Sequence, residues 1–195
     1  MPTLTLFVGT NGSGKSTIYN LFEKVKKPMG EKINPDDILK EMNGDWNNKN
    51  DMAKSGIIAL KRISKCIKNQ ESFNWEMTII SYTALKLIKT AKNNGFTINL
   101  YFVGVESSDI ALERIANRVK EGGHGVDADL VKYRRAHMLD NIKEALQYVD
   151  TAIFCDNTTL PKIIARYKNG KLKFTRKRCA WSKDLNQIIT SRENF

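Results

Sequence analysis

The sequence is poor in the residues that form disulfide frameworks and metal cages. It has three cysteines and two histidines in 195 residues, and Cys66, Cys155 and Cys179 lie far apart along the chain. An odd number of widely separated cysteines argues against disulfides, and the histidines have no paired spacing with them. A chain of this length can bury a hydrophobic core without cross-links. We therefore expect a single domain over residues 1–195, with a basic hairpin and a C-terminal helix, from about residue 160 onward, as an appendage.

Long hydrophobic runs and leader sequences are also lacking. No apolar stretch is long enough to cross a bilayer, and no basic segment followed by an apolar one precedes Leu4. From this pattern we expect a cytoplasmic protein that makes no contact with a membrane.

Acidic residues are missing between Asn157 and Lys183, where nine basic residues account for much of the formal net charge of +11. The basic residues of this segment are Lys162, Arg166, Lys168, Lys171, Lys173, Arg176, Lys177, Arg178 and Lys183. Apolar runs at 163–167 and 172–174 flank Asn169-Gly170, the dipeptide of a type I′ hairpin turn. Lysines that alternate along a hairpin usually form its solvated face and protect an edge strand from pairing. Attraction of nucleic acid or of an acidic substrate is the alternative interpretation.

A phosphate-binding loop is the most specific feature of the sequence. Apolar residues 4–8 precede the pattern Gly-x-x-x-x-Gly-Lys-Ser, and a helical pattern follows it. The predicted nucleotide-binding residues are Gly9, Thr10, Asn11, Gly12, Ser13, Gly14, Lys15, Ser16 and Thr17. In such a loop backbone N–H groups and the helix N-terminus surround phosphate oxygens, the lysine reaches the outer phosphates and the serine hydroxyl coordinates Mg²⁺. We expect ATP or GTP as the nucleotide, with Ser16 as the metal ligand.

Strand and helix patterns alternate along the rest of the chain. Strands are predicted at residues 4–8, 31–33, 73–78, 97–105 and 152–157, and helices at 15–27, 51–69, 82–93, 108–121, from 127 onward, and at 182–192. This alternation predicts a three-layer α/β fold of the P-loop kinase type, in which a five-stranded, mostly parallel sheet has helices on both faces.

Ligands of such sheets bind beyond the carboxyl ends of the strands. The phosphate-binding loop defines that edge, and Asp36, Glu76, Thr78 and Asp156 follow or end other strands at the same edge. Asp36 is the candidate base that takes a proton from the acceptor. The structural alternative is that Asp36, or its neighbour Asp37, caps the following helix.

Glu76 lies within an apolar strand, where a carboxylate is costly to bury unless it has a partner or a task. It could bind acceptor hydroxyls together with Thr78, or it could serve the Mg²⁺ coordination shell as a Walker-B acid does. A structural salt bridge is the third interpretation.

Four arginines lie on predicted amphipathic helices: Arg114, Arg118, Arg134 and Arg135. Arg114 and Arg118 are four residues apart and therefore share a helix face. Each of the four could stabilise charge on a transferred phosphate or could face solvent.

Six motifs occur together in a specific order. They are the loop at 9–17, Ile-Asn-Pro-Asp at 33–36, Glu-Met-Thr at 76–78, the strand at 100–105, Arg-x-x-x-Arg-Val-x-x-Gly-Gly-His-x-Val at 114–126, and Asp-Asn at 156–157. In this order and spacing the chain resembles the zeta-toxin family, and in particular its short stand-alone phosphotransferases. The resemblance covers residues 4–157, whereas the basic hairpin and the last helix match weakly.

The resemblance implies a kinase that uses ATP or GTP to phosphorylate a sugar hydroxyl of a UDP-N-acetyl amino sugar such as UDP-N-acetylglucosamine. It implies that Lys15 and Ser16 hold the nucleotide phosphates and Mg²⁺ and that Asp36 is the base. It also implies that Glu76 and Thr78 bind the acceptor. Toxic members of the family have a small antitoxin partner.

The same resemblance assigns a first phosphate-clamping arginine to Arg114 or Arg118. The second falls near His124 or within the run of residues 133–135, so His124 and Arg134 are further candidates for substrate binding. Two positions depart from the family pattern. Close relatives have an Arg-Arg-Tyr-x-Arg-Ser run where this chain has residues 133–138, so His137 replaces the last arginine of that run, and Met77 replaces a smaller residue.

Three functional hypotheses follow from the sequence. The favoured one is a kinase acting on a small molecule. A polynucleotide kinase or another nucleic-acid-binding NTPase is the second, and it rests on the basic segment. The third is a regulatory or toxin–antitoxin module that binds nucleotide and whose catalysis is incidental.

Overall fold

The computed structural model describes residues 1–25, 29–176, 179–183 and 185. Its strands are β1 (Thr3–Val8), β2 (Glu31–Ile33), β3 (Phe73–Met77), β4 (Thr97–Gly104), β5 (Thr151–Asp156), β6 (Lys162–Lys168) and β7 (Lys171–Phe174). Its helices are α1 (Lys15–Val25), α2 (Pro35–Glu41), α3 (Lys49–Asn69), α4 (Tyr82–Asn93), α5 (Ser108–Lys120), α6 (Ala128–Ala136) and α7 (Asp140–Ala145). None of the described helices is long and apolar enough to cross a membrane.

The seven strands form one sheet in the order β2-β3-β1-β4-β5-β6-β7. The first five are parallel, β6 is antiparallel to β5, and β7 is antiparallel to β6. The prediction of five strands with a separate hairpin is therefore wrong, because the hairpin extends the sheet. Strand β6 buries Ile164, Ala165 and Tyr167 in the main core. Because these side chains pack in the core, the hairpin joins the sheet.

Helices cover both faces of the sheet, which confirms the three-layer α/β prediction. Along β1, Leu4 and Leu6 point into the larger hydrophobic cluster, which also contains buried residues of α3, α4 and α7. Phe7 points to the opposite face and packs with Ile18 and Tyr19 of α1. The alternation of side chains along a strand thus divides one apolar strand between two cores.

The long helix predicted from residue 127 is wrong, because the chain forms two helices there. Helix α6 ends at a C-cap residue, His137, and α7 begins at Asp140. Val131 of α6 packs with residues of α5 and the end of β4, whereas Ile142 of α7 packs in the main core. A single straight helix cannot reach both clusters, so the chain turns between them.

The structure describes the turn of the basic hairpin but only part of the segment that follows it. The turn of the hairpin has positive φ at Asn169 (50°) and Gly170 (77°), which confirms the type I′ prediction. Most of the predicted helix at 182–192 and the predicted end of α1 at 26–27 lie outside the described residues. Within the described part, residues 180–182 form a short 3₁₀ turn, and Trp181 and Leu185 are buried in the main core.

Candidate active site

A cleft of about 860 Å³ opens at the carboxyl ends of the parallel strands. It brings together most of the predicted site residues: Asn11, Gly12, Gly14, Lys15, Ser16, Thr17, Asp36, Glu76, Thr78, Arg114, Arg118, His124 and Arg134. Gly9, Thr10 and Ser13 belong to the same loop but do not line the cleft. The sheet edge that the sequence predicts is therefore the edge at which these side chains meet.

The phosphate-binding loop is shaped by close backbone contacts that only glycine permits. Gly12 has a φ of +74°, and a Cβ there would lie 2.3 Å from the carbonyl oxygen of Ala111. Gly14 has a φ of +88°, and a Cβ there would lie 2.2 Å from Nδ2 of Asn157. These glycines let the loop pack against α5 and the end of β5 with its backbone lining the cleft.

Lys15 lies inside this loop rather than in solvent. Its side chain is buried, and Nζ donates a hydrogen bond to the carbonyl oxygen of Thr10 over 3.2 Å. Burial lowers the pKa of Lys15, and the negative charges of Glu76 and Asp36 oppose this shift. The ammonium group is thus held close to two carboxylates, where it can meet an anionic ligand as a localised charge.

Glu76 contacts the serine of the loop. The Ser16 hydroxyl lies 2.9 Å from Oε1 and 3.1 Å from Oε2 of Glu76, and the glutamate is buried. This geometry favours the metal-shell interpretation of Glu76 over a salt bridge, because its nearest hydrogen-bond partner is a neutral hydroxyl. Thr78 lies just beyond the end of β3 and lines the cleft.

Asp36 occupies the second position of α2. The helix is capped by Asn34, whose Oδ1 accepts a hydrogen bond from the backbone N–H of Asp36 over 2.9 Å. Asp37 forms an ion pair with Lys32 at 2.8 Å. The alternative in which Asp36 or Asp37 caps this helix is therefore wrong. The Asp36 carboxylate remains 47% exposed within the cleft, where it is accessible to a substrate.

Arg114 and Arg118 share a helix face but have different partners. Arg114 donates hydrogen bonds to the carbonyl oxygens of Gly12 (3.5 Å), Asn157 (2.8 Å) and Thr158 (3.1 Å). It therefore joins the phosphate-binding loop to the segment that follows β5.

Arg118 has a different environment. Its Nε donates to the carbonyl oxygen of His124 over 3.1 Å, while its buried Nη2 has no hydrogen-bond partner among the described residues. An unsatisfied buried guanidinium nitrogen that borders a cleft is suited to an anionic ligand. Arg118 fits the predicted phosphate-clamping role better than Arg114 does.

Arg134 and Arg135 also have different hydrogen-bond partners. Nη1 of Arg134 donates to Oδ1 of Asn11 in the phosphate-binding loop over 2.7 Å. Burial lowers the pKa of Arg134, and the charge of Asp36 opposes the shift. Arg135 instead donates to the carbonyl oxygens of Val105 and Glu106, so it fastens α6 to the end of β4. Only Arg134 of this pair lines the cleft.

His124 and His137 are each in contact with an aromatic ring. The ring of His124 stacks on Trp46 with a centroid distance of 4.0 Å and an interplanar angle of 10°. Burial lowers the pKa of His124, as do Arg118 and Lys40, whereas Asp36 raises it.

His137 is placed differently. It packs against Tyr133 of its own helix at 4.3 Å and is not among the described residues that line the cleft. The departure from the family pattern at this position therefore lies away from the site.

Sequence reasoning missed two residues of the site. Nδ2 of the buried Asn157 donates to the carbonyl oxygen of Ser13 over 2.8 Å and so holds the phosphate-binding loop. The sequence drew attention to its neighbour Asp156, whose Oδ1 accepts hydrogen bonds from Thr158 and Trp181 instead. The other missed residue is Trp46, for which the sequence offers no signal, since it lies in a polar segment between helices.

The basic residues of the hairpin are distributed along its length. In the strand register Lys162 lies opposite Asp156, at the edge of the sheet where the cleft opens, and β6 runs antiparallel to β5 from there. Lys168 pairs with Thr151 and Lys171 at the opposite edge. The register therefore places basic residues at both edges of the sheet, and attraction of nucleic acid or of an acidic substrate stays a prediction.

Comparison with known proteins identifies related sequences. The sequence model of the AAA domain family matches residues 4–144 of this chain. An uncharacterised protein of Haemophilus influenzae (strain ATCC 51907 / DSM 11121 / KW20 / Rd) is 35% identical over 128 residues, which cover 66% of this chain and 89% of that protein.

Solved structures show the same architecture. The AvrRxo1-ORF1:-ORF2 complex with ATP superposes with a TM-score of 0.69 at 15% identity and covers 97% of this chain. This chain spans 64% of that chain's length. A structure from the PezAT chromosomal toxin–antitoxin system of Streptococcus pneumoniae has a TM-score of 0.65 at 15% identity and covers 100% of this chain and 86% of that one.

A third structure, the Pnkp1/Rnl/Hen1 RNA repair complex, has a TM-score of 0.60 at 16% identity over 73% of this chain and 46% of the matched chain. At these identities the likenesses show the fold alone. It is the α/β fold of P-loop kinases.

Proposed function

Because this chain belongs to the AAA domain family, whose model matches residues 4–144, we propose that it is a Mg²⁺-dependent phosphotransferase. The proposed reaction moves the γ-phosphate of ATP or GTP to a hydroxyl of a small molecule. UDP-N-acetylglucosamine, or a related UDP-N-acetyl amino sugar, is the proposed acceptor, in keeping with the resemblance of the sequence motifs to the zeta-toxin family.

One observation carries the phosphotransferase proposal. An accessible carboxylate, Asp36, lines the same cleft as Lys15 and Arg118, whose buried Nη2 has no hydrogen-bond partner among the described residues. A carboxylate in this position can take the proton of an acceptor hydroxyl, as the catalytic aspartate of protein kinases does. The cleft volume of about 860 Å³ lies at the upper end of ligand sites and suits two ligands side by side.

The proposed step is an in-line displacement at the γ-phosphorus. The Asp36 carboxylate takes the proton of the acceptor hydroxyl, and the acceptor oxygen forms a bond to phosphorus. The bond between phosphorus and the bridging oxygen breaks, and the nucleoside diphosphate leaves with that electron pair. Lys15 and Arg118 stabilise the charge on the phosphoryl oxygens, because their cations are already desolvated in the cleft.

The residues that would hold Mg²⁺ are Ser16 and Glu76. Hydroxyl and carboxylate oxygens are the ligands that Mg²⁺ prefers, and these two side chains lie within hydrogen-bond distance of one another at the end of β3. The bound ion would neutralise charge on the nucleotide phosphates. In this assignment Thr78, rather than Glu76, is the side chain left to bind the acceptor.

The test is a transfer assay with ATP, Mg²⁺ and UDP-N-acetylglucosamine, read by mass spectrometry. We expect a phosphorylated sugar nucleotide from the wild-type protein and none from Asp36→Asn, which should still bind ATP. Lys15→Ala should weaken nucleotide binding. A wild-type protein that adds phosphate to no amino-sugar nucleotide would refute the acceptor, and unchanged nucleotide binding by Lys15→Ala would refute the kinase itself.

A protein partner is part of the same proposal. The AvrRxo1 and PezAT structures both come from systems that contain a second protein. An antitoxin for the present chain would be needed only if its phosphotransfer harms the cell. Expression of the wild-type and Asp36→Asn proteins in a bacterial host tests this, since growth inhibition that persists in Asp36→Asn would show that toxicity does not depend on transfer.

A further inference from the structure

An aromatic contact joins two loops that border the cleft. Trp46 belongs to the loop between α2 and α3, and His124 belongs to the loop between α5 and α6. Their rings are parallel within 10° and their centroids are 4.0 Å apart, which is stacking distance. Both residues line the cleft. The contact therefore links the segment that follows the Asp36 helix to the segment that follows the Arg118 helix.

His124 is the centre of three contacts. Its ring stacks on Trp46, its Nε2 lies 3.7 Å from Oδ2 of Asp36, and its carbonyl oxygen accepts the hydrogen bond from Nε of Arg118. One residue thus touches both the proposed base and the proposed phosphate clamp. A shift of His124 would alter the positions of both groups together.

The loop that carries His124 begins with two glycines, whose backbone N–H groups donate to the carbonyl oxygens of Val119 and Arg118 at the end of α5. Gly122 has a φ of +84° with no atom near the position of a Cβ, and a Cβ on Gly123 would lie 2.5 Å from Cγ of Arg118. Glycines at these positions let the backbone follow Arg118 closely, but they contribute no side chains to fix the loop. The ring of Trp46 supplies a rigid flat surface where the loop itself has none.

From this geometry we propose that Trp46 is a positioning residue for phosphoryl transfer, which stacks on His124 and thereby holds Asp36 and Arg118 in register across the cleft. The proposal rests on the proposed function, because it concerns the same base and the same clamp. It adds a residue to which neither the sequence motifs nor the family resemblance gives a role.

The charges around the imidazole support this arrangement. Asp36 and Lys40 of α2 and Arg118 of α5 act on His124, and burial together with the two cations lowers its pKa. The imidazole is thus close enough to Asp36 and Arg118 for the charges of both groups to act on it, as the contacts require.

The kinetic test compares Trp46→Ala with Trp46→Phe. Misplacing a catalytic group by about 1 Å can cost up to about 100-fold in rate, so we expect Trp46→Ala to lower kcat by about 10-fold or more. The KM for nucleotide should change by less than about twofold, since Lys15 and the loop are untouched. Trp46→Phe, which retains a stacking ring, should recover most of kcat.

The matched control is Tyr133→Ala, which removes the other aromatic–histidine contact of the described chain, 4.3 Å from His137 and away from the cleft lining. It should leave kcat unchanged. A wild-type kcat in Trp46→Ala, or a loss in Trp46→Phe as large as that in Trp46→Ala, would overturn the proposal.

A second measurement needs no acceptor. Nuclear magnetic resonance of the His124 ring protons gives its titration midpoint with and without Asp36→Asn, in the wild-type and in the Trp46→Ala background. Because Asp36 raises the pKa of His124, Asp36→Asn should lower the midpoint when Trp46 is present. The shift should be at least halved when Trp46 is absent, because the imidazole is then no longer held beside the carboxylate.

An equal shift in both backgrounds would overturn the positioning role. This result is independent of the transfer assay, so it distinguishes failure of the Trp46 proposal from failure of the proposed function. His137→Gln identifies the resonances of the second histidine.

Discussion

The hydroxyl of Ser16 lies within hydrogen-bond distance of both carboxylate oxygens of Glu76, at 2.9 and 3.1 Å. Strands β1 and β3 are parallel neighbours, and Glu76 is paired with Phe7 one residue before β1 ends. This register places a carboxylate beside the first turn of α1, where the serine of the phosphate-binding loop lies. The contact places the Glu76 carboxylate beside Ser16, the predicted metal ligand.

We predict that Glu76→Gln raises the Mg²⁺ concentration needed for half-maximal transfer by about tenfold, since one anionic ligand of the coordination shell is lost. The affinity of the nucleotide complex for Mn²⁺, measured by electron paramagnetic resonance, should fall in parallel. Thr78→Val is the matched variant, and it should raise the KM for the acceptor without changing the metal dependence. The reverse pattern would assign Glu76 to the acceptor.

Alanine substitutions of the two arginines of α5, Arg114 and Arg118, should have different effects on kcat and on stability. Arg118→Ala removes a guanidinium nitrogen that no described residue satisfies and breaks one hydrogen bond, to the carbonyl oxygen of His124, so kcat should fall by about 100-fold while the unfolding free energy falls by only about 1 kcal/mol. Single-turnover kinetics and urea unfolding provide both values.

Arg114→Ala breaks hydrogen bonds to three carbonyl oxygens. Its unfolding free energy should therefore fall by about 2 kcal/mol, and nucleotide affinity should fall with it because the loop loses its brace. If Arg114→Ala instead left stability intact and abolished transfer, the assignment of the clamp to Arg118 would be wrong.

The pH dependence of stability should contain a contribution from His124. Its pKa in the folded protein is lowered from 6.5, so at a pH just below 6.5 the unfolded chain binds more protons than the folded chain. Stability should then decrease as the pH falls from 7.5 to 5.5. The decrease should be smaller in His124→Gln, measured by urea unfolding at both pH values. An identical decrease in His124→Gln would mean that the imidazole titrates normally in the folded state.

Alanine substitutions at two glycines with positive φ show whether nucleotide binding is lost through backbone strain alone or through the close contact at Gly12. Gly12→Ala combines a φ of +74° with a Cβ 2.3 Å from the carbonyl oxygen of Ala111, so the loop must move and nucleotide binding should be lost. Gly95→Ala has a similar φ of +80° but no atom within 4 Å of its Cβ. It should cost about 1–2 kcal/mol of stability and leave nucleotide affinity unchanged. Calorimetric titration with ATP tests both, and equal affinities in the two variants would contradict the role of the Gly12 contact.

Local patterns account for the part of the fold that was predicted correctly. The phosphate-binding loop, the α/β alternation and the type I′ turn at Asn169-Gly170 each depend on a few consecutive residues. The position of Asp36 beside the loop also follows from the sequence, because the carboxyl ends of parallel strands share one edge.

The predictions that were wrong concern features that depend on packing between segments distant in the chain. The hairpin joins the sheet because Ala165 and Tyr167 are buried in the main core, and the helix predicted from residue 127 is divided because Val131 and Ile142 belong to different clusters. The cap of α2 is Asn34 rather than an aspartate, although all three residues have suitable side chains. The sequence is compatible with either placement of the hairpin, with one helix or two, and with each of the three cap residues, and it does not show which of these forms.

The sequence by itself determined the class of chemistry: a phosphate-binding loop, a nearby carboxylate, and arginines on the helices that follow. Tertiary structure alone decided which side chains lie together. One guanidinium nitrogen of Arg118 has no hydrogen-bond partner among the described residues, Glu76 contacts Ser16, and Trp46 stacks on His124. The physical reason is that a motif is encoded by residues close in the chain, whereas each of these relationships depends on contacts between segments that are distant in the chain and meet only when the sheet and its covering helices have packed.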